Sequence, residues 1–473
     1  MEPLLIDLAL AALALLLFAA DLLMPGDEKR GLGHLACAGL VVILITSFGL
    51  DLRGDAFGGA FVLDPLALWF KRVFLAAGAL AALVALDPAE RSFARRQGEY
   101  YLLLVMALLG MSLLSSAREL LLIVVSFELM SLPLYVLTAF TKSDKRAGEG
   151  ALKFYLVGAT SLAITLYGLS LVYGATGTTM LPEIARHASA APSSLLVLGL
   201  FTTLAGLAFK IGAVPFHMWV PDTYEGAATP FVGFLAVAPK AAGFSLLVRL
   251  FLEAFTPLAS RYQPALLGLC VLTLVVGNVL ALTQTNIKRL LAYSGIAQIG
   301  YMMIGLLTQS GEGVGMLLFY LAAYLFTNVG AFAVVAAVGA SSGSDEISAY
   351  RGLARRSPAL GLAMLVFLLS LGGIPFVAGF WAKMGIFIAA WHAGLHWLVL
   401  LGAGLAVVGV YYYLRVARSL YLDDPVEGQP PLVIGGPLRL ALIISSAGVV
   451  LLGIWPRPFF DTALEAAKNF LPH

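Results

Sequence analysis

The sequence predicts an all-α, polytopic membrane protein of about fourteen transmembrane helices. Spans 4–8 and 9–13 are expected to form two inverted five-helix repeats, each containing a broken helix. Three observations lead there. Apolar runs of 18 or more residues recur along the whole 473-residue chain, the signature of membrane-spanning helices. Only 12% of residues are charged and 60% are hydrophobic, where an ordinary soluble domain carries about 25% charged residues. Lysine and arginine also gather in alternate connections between the apolar runs, as they do when helices cross a bilayer back and forth.

The elements follow in order. The first span, 4–23, begins "MEPLLIDLAL"; lacking a basic start, it reads as a retained helix and not a cleaved signal. Spans 32–50 and 65–86 complete an N-terminal three-helix segment, 1–98. Spans 100–116, 119–140, 148–173, 194–214 and 229–252 form the first repeat, about 99–252. Spans 264–283, 287–307, 313–338, 359–390 and 395–420 form the second, about 264–420. A helix at 438–455 and a tail complete 421–473. The run 359–390 is too long for one straight crossing of a roughly 30 Å hydrocarbon core, so "GGIPF" is expected to split it into two half-helices. "GAVPF" at 212–216 echoes "GGIPF" at 372–376. Each lies in the fourth span of its repeat, and an odd number of spans separates them, so the copies enter the membrane from opposite sides. A short interfacial helix is expected near 181–187.

Fifteen basic residues fall in odd-numbered connections, among them Lys29, Arg30, Arg91, Arg95, Arg96, Lys142 and Arg289, against Arg53, Arg118, Arg186 and Arg261 in even-numbered ones. The asymmetry predicts cytoplasmic odd connections and both termini outside. Net charge is +2, which implies no nucleic-acid partner. Cys37 and Cys270 both lie in apolar runs, so no disulfide framework or iron–sulfur site is expected. There is no P-loop and no dinucleotide fingerprint; the expected contacts are lipid, water, protons and other membrane proteins.

Most apolar runs carry no charge, so Glu128, Lys210, Lys240 and Lys383 stand out near mid-membrane. A central charge costs roughly 2.5–3.5 kcal/mol on insertion scales. Lys153, Lys71 and Arg72 lie where they can also snorkel. Prolines sit beside the central charges. Pro133 loosens the carbonyl of Leu129 next to Glu128, Pro215 that of Ile211 next to Lys210, and Pro239 adjoins Lys240. Gly212 with Pro215, and Gly372 with Pro375, mark the breaks. Irregular backbone at membrane depth survives only when buried in protein or lining a watered cavity. Ionisable groups and broken helices at one depth suit a proton path. A charged lysine has no lone pair for a metal ion, but it can carry and release a proton. Glu128 is expected to pair with Lys210. His217 is a secondary candidate; His392 and His396 are expected in solvent on an outer connection.

"SFELMSLPLYVL", "GALKFYLVGA", "FKIGAVPFHMWVPDTYEGAATP", "APKAAGF", "IKRLLAYSGIAQIGYM" and "LSLGGIPFVAGFWAKMGIF" resemble the antiporter-like membrane subunits of respiratory complex I, the proton-pumping NADH–quinone oxidoreductase, from about 99 to 420. Within that family the chain is similar to the type with lysine, not glutamate, on the twelfth span and no long lateral helix. The resemblance implies a bacterial inner-membrane subunit that translocates protons. Glu128 and Lys210 would form the ion pair of one half-channel, Lys240 the central link and Lys383 the terminus of the other; Lys153 matches a lysine often found on the sixth span. It also implies that flavin mononucleotide, iron–sulfur clusters and quinone belong to partner subunits. A subunit of a multisubunit cation/proton antiporter or of a membrane-bound hydrogenase is the alternative; a membrane scaffold without transport is a third reading, which the central charges oppose.

Overall fold

The computed structural model describes residues 2–24, 29–49, 53–87, 96–142, 144–190, 192–425, 432 and 434–468; Arg91 and Arg95 lie outside the described residues. Its first helices are α1 (Leu5–Leu23), α2 (Arg30–Gly49), α3 (Pro65–Ala85), α4 (Gln97–Ser116), α5 (Leu120–Thr138) and α6 (Lys145–Thr176). Then come α7 (Leu181–Ala190), α8 (Ser194–Ile211), α9 (Trp219–Gly226), α10 (Thr229–Leu235), α11 (Ala238–Arg249), α12 (Ala259–Ala281), α13 (Ile287–Leu307) and α14 (Gly311–Ser342). The chain continues through α15 (Leu353–Arg356), α16 (Pro358–Gly372), α17 (Ala378–His392), α18 (His396–Tyr421), α19 (Gly436–Ile454) and α20 (Arg457–Lys468). Among the described residues 13 helical stretches are long and apolar enough to cross a membrane, and the broken pair α16–α17 supplies one further crossing. The chain is thus a multi-pass membrane protein.

Four elements differ from expectation. The connection "VPDTYEG" is itself the helix α9, because its prolines and glycine fall where helices begin and end: Pro221 in the first turn, Gly226 at the last residue. The eighth span is not one helix. Pro230 and Pro239 each occupy a first turn, so α10 and α11 are separate helices meeting at 236–237, immediately before Lys240. The tail holds α20, amphipathic, with Ala463, Ala466 and Ala467 buried. A hairpin, β1 (Gly54–Ala56) with β2 (Phe61–Leu63), caps the second connection. The short helix near 181–187 is present as α7, burying Leu181, Ile184 and Ala188 on one face.

Pro133 lies inside an unbroken α5 and is not a break. It removes one backbone bond only, and the Ser131 hydroxyl binds the Phe127 carbonyl in the same stretch (2.5 Å). Small residues let α6 and α8 touch along their length. A Cβ on Gly168 would stand 2.9 Å from the Gly199 carbonyl oxygen, and the Ser161 hydroxyl donates to the Gly206 carbonyl at 2.9 Å. Close backbone approach with interhelical hydrogen bonds is what holds helices together without water to drive them.

The N-terminal helices are fastened to the rest by charge. Lys71 does not snorkel. Its ammonium is fully buried and reaches both oxygens of Asp7 (2.8 and 2.7 Å) and the Ser112 hydroxyl (3.0 Å), joining α1, α3 and α4. Asp7→Ala is expected to cost about 3–5 kcal/mol, because it leaves a buried ammonium without its partner. Thermal unfolding of the detergent-solubilised protein reads this as a lower midpoint, which Asp7→Leu combined with Lys71→Met should largely restore. An unshifted midpoint in the single variant would contradict it.

Candidate proton-transfer site

Both breaks end in the same cap. α8 closes on Gly212 in the left-handed region (φ 76°), with the Ala213 amide donating to the Ala208 carbonyl at 2.8 Å. α16 closes on Gly373 (φ 79°), with the Ile374 amide donating to the Leu369 carbonyl at 3.0 Å. The left-handed glycine of the second break is therefore Gly373, while Gly372 is the last helical residue. The two motifs match with an offset of one residue from the "GAVPF"/"GGIPF" alignment. The freed backbone finds partners. The Val214 amide donates to the Thr273 hydroxyl (2.9 Å), and the Trp219 indole donates to the Phe209 carbonyl (3.2 Å). In the second break the Gly379 amide donates to the Ser370 hydroxyl (3.1 Å).

Each of the three central lysines stands by such an irregularity. Lys210 occupies the last turn of α8, buried, over the Phe127 ring at 4.5 Å. Its ammonium donates to the Ser131 hydroxyl at 2.7 Å. The expected direct pair with Glu128 is absent. Glu128 lies one turn from Ser131 on α5 and is half-buried; it acts on Lys210 through charge and not through contact. The reason is packing: α8 lies against α6 and α11, so only the long lysine stem reaches α5. Ser131 was missed because a lone serine in an apolar run carries no signal by itself.

Lys240, fully buried at the start of α11, has no hydrogen-bond partner among the described residues. The Tyr224 ring centre is 5.5 Å from its Nζ. A Cβ built on Gly295 would lie 3.0 Å from that Nζ and 2.8 Å from the Tyr324 hydroxyl. The Tyr224 and Tyr324 hydroxyls likewise lack partners. Three buried polar groups facing one another describe a chamber suited to water, which satisfies such groups in pairs and triplets.

Lys383 on α17 donates to the Leu371 carbonyl (2.8 Å) and the Gly372 carbonyl (3.2 Å), above the Tyr301 ring at 4.9 Å. Those carbonyls end α16, where the helix dipole presents partial negative charge to a cation. The lysine therefore caps the break it follows in sequence.

The secondary candidates lie elsewhere. Lys153 is 44% exposed and bridges Asp222 (2.7 Å) and Glu149 (2.6 Å). Arg289 of α13 binds Asp222 and Glu225, both at 2.8 Å. Asp222 thus ties α6 and α13 to α9, beside a cavity of about 600 Å³ lined by Asp144, Arg146, Glu225, Thr229, Lys288 and Asp345. Beyond that cavity Tyr224 meets the Phe332 ring edge-on at 5.9 Å. His217, part-exposed in the first break, faces the Tyr293 ring at 6.5 Å and does not join Lys210. His392 is exposed and bonds Glu312 at 3.0 Å; the exposed His396 stacks on Trp391. Among the described residues no three His, Cys, Asp or Glu side chains gather as a metal site.

Partial burial pushes the Asp222 carboxyl up, but hydrogen bonds and charge from Lys153 and Arg289 outweigh it and hold the group below its ordinary value. A depressed carboxylate contributes fully above its unfolded value of about 3.9 and is lost only as pH falls through the lower, folded one. Hydrogen-exchange protection of α9 is therefore expected to hold constant between about pH 5 and 8. Asp222→Asn should lower it; equal protection in the variant would deny the clamp.

Residues 117–409 match the model of a membrane-protein family described as NADH:quinone oxidoreductase/Mrp antiporter, transmembrane. The chain belongs to this family. Among its relatives in the NADH:quinone oxidoreductase/Mrp antiporter family, a protein named NADH-quinone oxidoreductase subunit N from Moorella thermoacetica is 46% identical, covering 98% of both chains. NAD(P)H-quinone oxidoreductase subunit 2 from Trichodesmium erythraeum is 40% identical over 95% of this chain and 88% of that one. A chain of respiratory complex I from Thermus thermophilus superposes with a TM-score of 0.83 at 36% identity, covering 96% and 98%. A chain of the Mrp complex from Dietzia sp. shares the fold at TM-score 0.88 and 20% identity, covering 99% and 97%. Subunit N is the type that the Lys383 signal and the short C-terminus single out.

Proposed function

We infer that the chain is the proton-translocating N-type membrane subunit of NADH-quinone oxidoreductase, and that Lys210, Lys240 and Lys383 carry the proton across the middle of the membrane with Glu128 as an electrostatic partner. The observation that carries the relay is the coincidence of three buried lysines with three helix irregularities: Lys210 at the cap of α8, Lys240 at the α10–α11 joint, Lys383 on the carbonyls of α16. Each irregularity supplies polar backbone where an ammonium would otherwise have none. Residues 99–420 form the translocating unit. Electrons pass from NADH to quinone in partner subunits that hold the flavin and iron–sulfur centres, and other antiporter-like subunits flank this one. The chain lies in a bacterial inner membrane with both termini outside, so the face bearing Lys153, Asp222 and Arg289 is cytoplasmic. Glu128, a half-buried carboxylate on a membrane helix, supports a neighbouring subunit that covers it, since a lipid-facing charge is costly.

The test is to purify the chain through an affinity tag in mild detergent, identify its companions and reconstitute the assembly. Co-purified redox subunits and NADH-driven acidification of vesicles are expected. Companions limited to antiporter subunits, with cation/proton exchange independent of NADH, would replace this reading with the alternative.

A further inference from the structure

Between Lys240 and Lys383 runs a row of polar side chains along one stripe of α13. Gly295 borders the Lys240 ammonium, and Tyr301 lies under Lys383; the six residues between them span about 9 Å of helix. Ser294 and Gln298 occupy the stripe, both buried (1% and 2% exposed). The Gln298 amide nitrogen donates to the Leu371 carbonyl (3.0 Å), the same oxygen that Lys383 holds, and to the Tyr413 hydroxyl (3.1 Å). The Tyr320 hydroxyl donates to the Gln298 amide oxygen. Tyr413 and Ser294 share a hydrogen bond of 2.5 Å.

Counting donors settles the direction of every bond in this row. A backbone carbonyl only accepts, so the Leu371 oxygen fixes the nitrogen end of the Gln298 amide against it. The same nitrogen then donates to Tyr413, occupying its oxygen. Tyr413 has one proton, which goes to Ser294. A proton approaching from the Lys240 side through Ser294 therefore meets an O–H pointing toward it and a lone pair already taken.

We propose that Gln298 is a positioning residue that holds the Tyr413–Ser294 pair in the polarity that opposes proton passage from Lys240 to Lys383. Passage requires the amide to release the Leu371 carbonyl and free the Tyr413 oxygen. The balance is simple. The Lys240 ammonium gives a proton through chamber water to the Ser294 oxygen, Ser294 passes its own proton to Tyr413, and Tyr413 passes its own through water to the Lys383 amine. Lys240 ends neutral, Lys383 ends charged, and both hydroxyls are restored. This rests on the reading that Lys240 and Lys383 carry the proton.

The experiment uses the whole assembly in vesicles. Passive proton influx under an imposed membrane potential is measured without NADH, and pumping is measured with it. Gln298→Leu, which removes both amide ends, is expected to raise passive influx at least threefold and lower the proton-to-electron ratio. Adding Lys383→Met should return influx to the wild-type level, because the leak ends on that lysine; influx that persists in the double variant marks general damage and overturns the proposal. If Lys383→Met alone pumps normally, the underlying reading of Lys383 fails. If Lys383→Met blocks pumping and Gln298→Leu leaks no more than wild type, only the Gln298 proposal fails. Should Gln298→Leu not assemble, Tyr413→Phe removes the hydroxyl while keeping the ring and is expected to cut pumping without a leak; unchanged pumping there is equally fatal.

Discussion

Vesicles carrying the assembly with Lys240→Arg should lose NADH-driven proton pumping at least tenfold while the assembly itself remains intact. Arginine keeps the positive charge, so the electrostatics of the fold change little. It does not give up its proton in proteins, however, so it can fill the position without relaying anything. The site is demanding in a second way. The chamber is bounded by Tyr224, Gly295 and Tyr324, all without room to spare: a single added Cβ on Gly295 would already crowd the ammonium at 3.0 Å. The planar guanidinium therefore displaces the water that the three unpartnered groups imply. Lys240→Met is the companion variant, losing both charge and proton. Both should show the same loss of pumping and of quinone reductase turnover. Normal pumping in Lys240→Arg would remove Lys240 from the proton path.

Lys383→Met is expected to block pumping to a comparable degree, by a different physical route. The substitution removes an insertion cost of roughly 2.5–3.5 kcal/mol, so membrane insertion is undisturbed. What is lost is the ammonium that satisfies the Leu371 and Gly372 carbonyls. Leu371 keeps its bond from Gln298, so Gly372 is the carbonyl left exposed. A buried group without its partner costs about 1–3 kcal/mol, and the break is expected to loosen by that amount. Quinone reduction and acidification are measured separately. A normal proton-to-electron ratio at normal turnover would refute the assignment. Loss of turnover with full assembly would show that redox chemistry and this lysine are strictly coupled.

The crossings were legible because an apolar run of twenty residues has few other fates, and the 359–390 run announced its break by being too long. The lysines were legible as charges where charges are expensive. What escaped the sequence was lateral: which helix neighbours which. Glu128 and Lys210 sit at one depth, and depth alone suggested a pair; the packing of α8 on α6 puts Ser131, not Glu128, at the end of the lysine stem. Lys153 reads in sequence like a member of the relay, yet it sits in an ion-pair cluster with Asp222 and Glu149. The helix α9 was hidden because its eight residues include two acidic side chains and a proline, and so show no apolar period. The Gln298 amide matters through two partners on α16 and α18, which no local spacing encodes.

The position of Lys240 has an electrical meaning. It lies eleven residues into the 26-residue stretch Thr229–Ala254, roughly midway through it. A full crossing of one charge against 100 mV requires about 2.3 kcal/mol. With the central lysine near the halfway point, the opposing voltage is divided into two nearly equal loads, one on delivery to Lys240 and one on departure from it. Neither half-step then bears the whole potential. Turnover should accordingly slow gradually as the membrane becomes charged, instead of stalling at a threshold set by a single large charge movement.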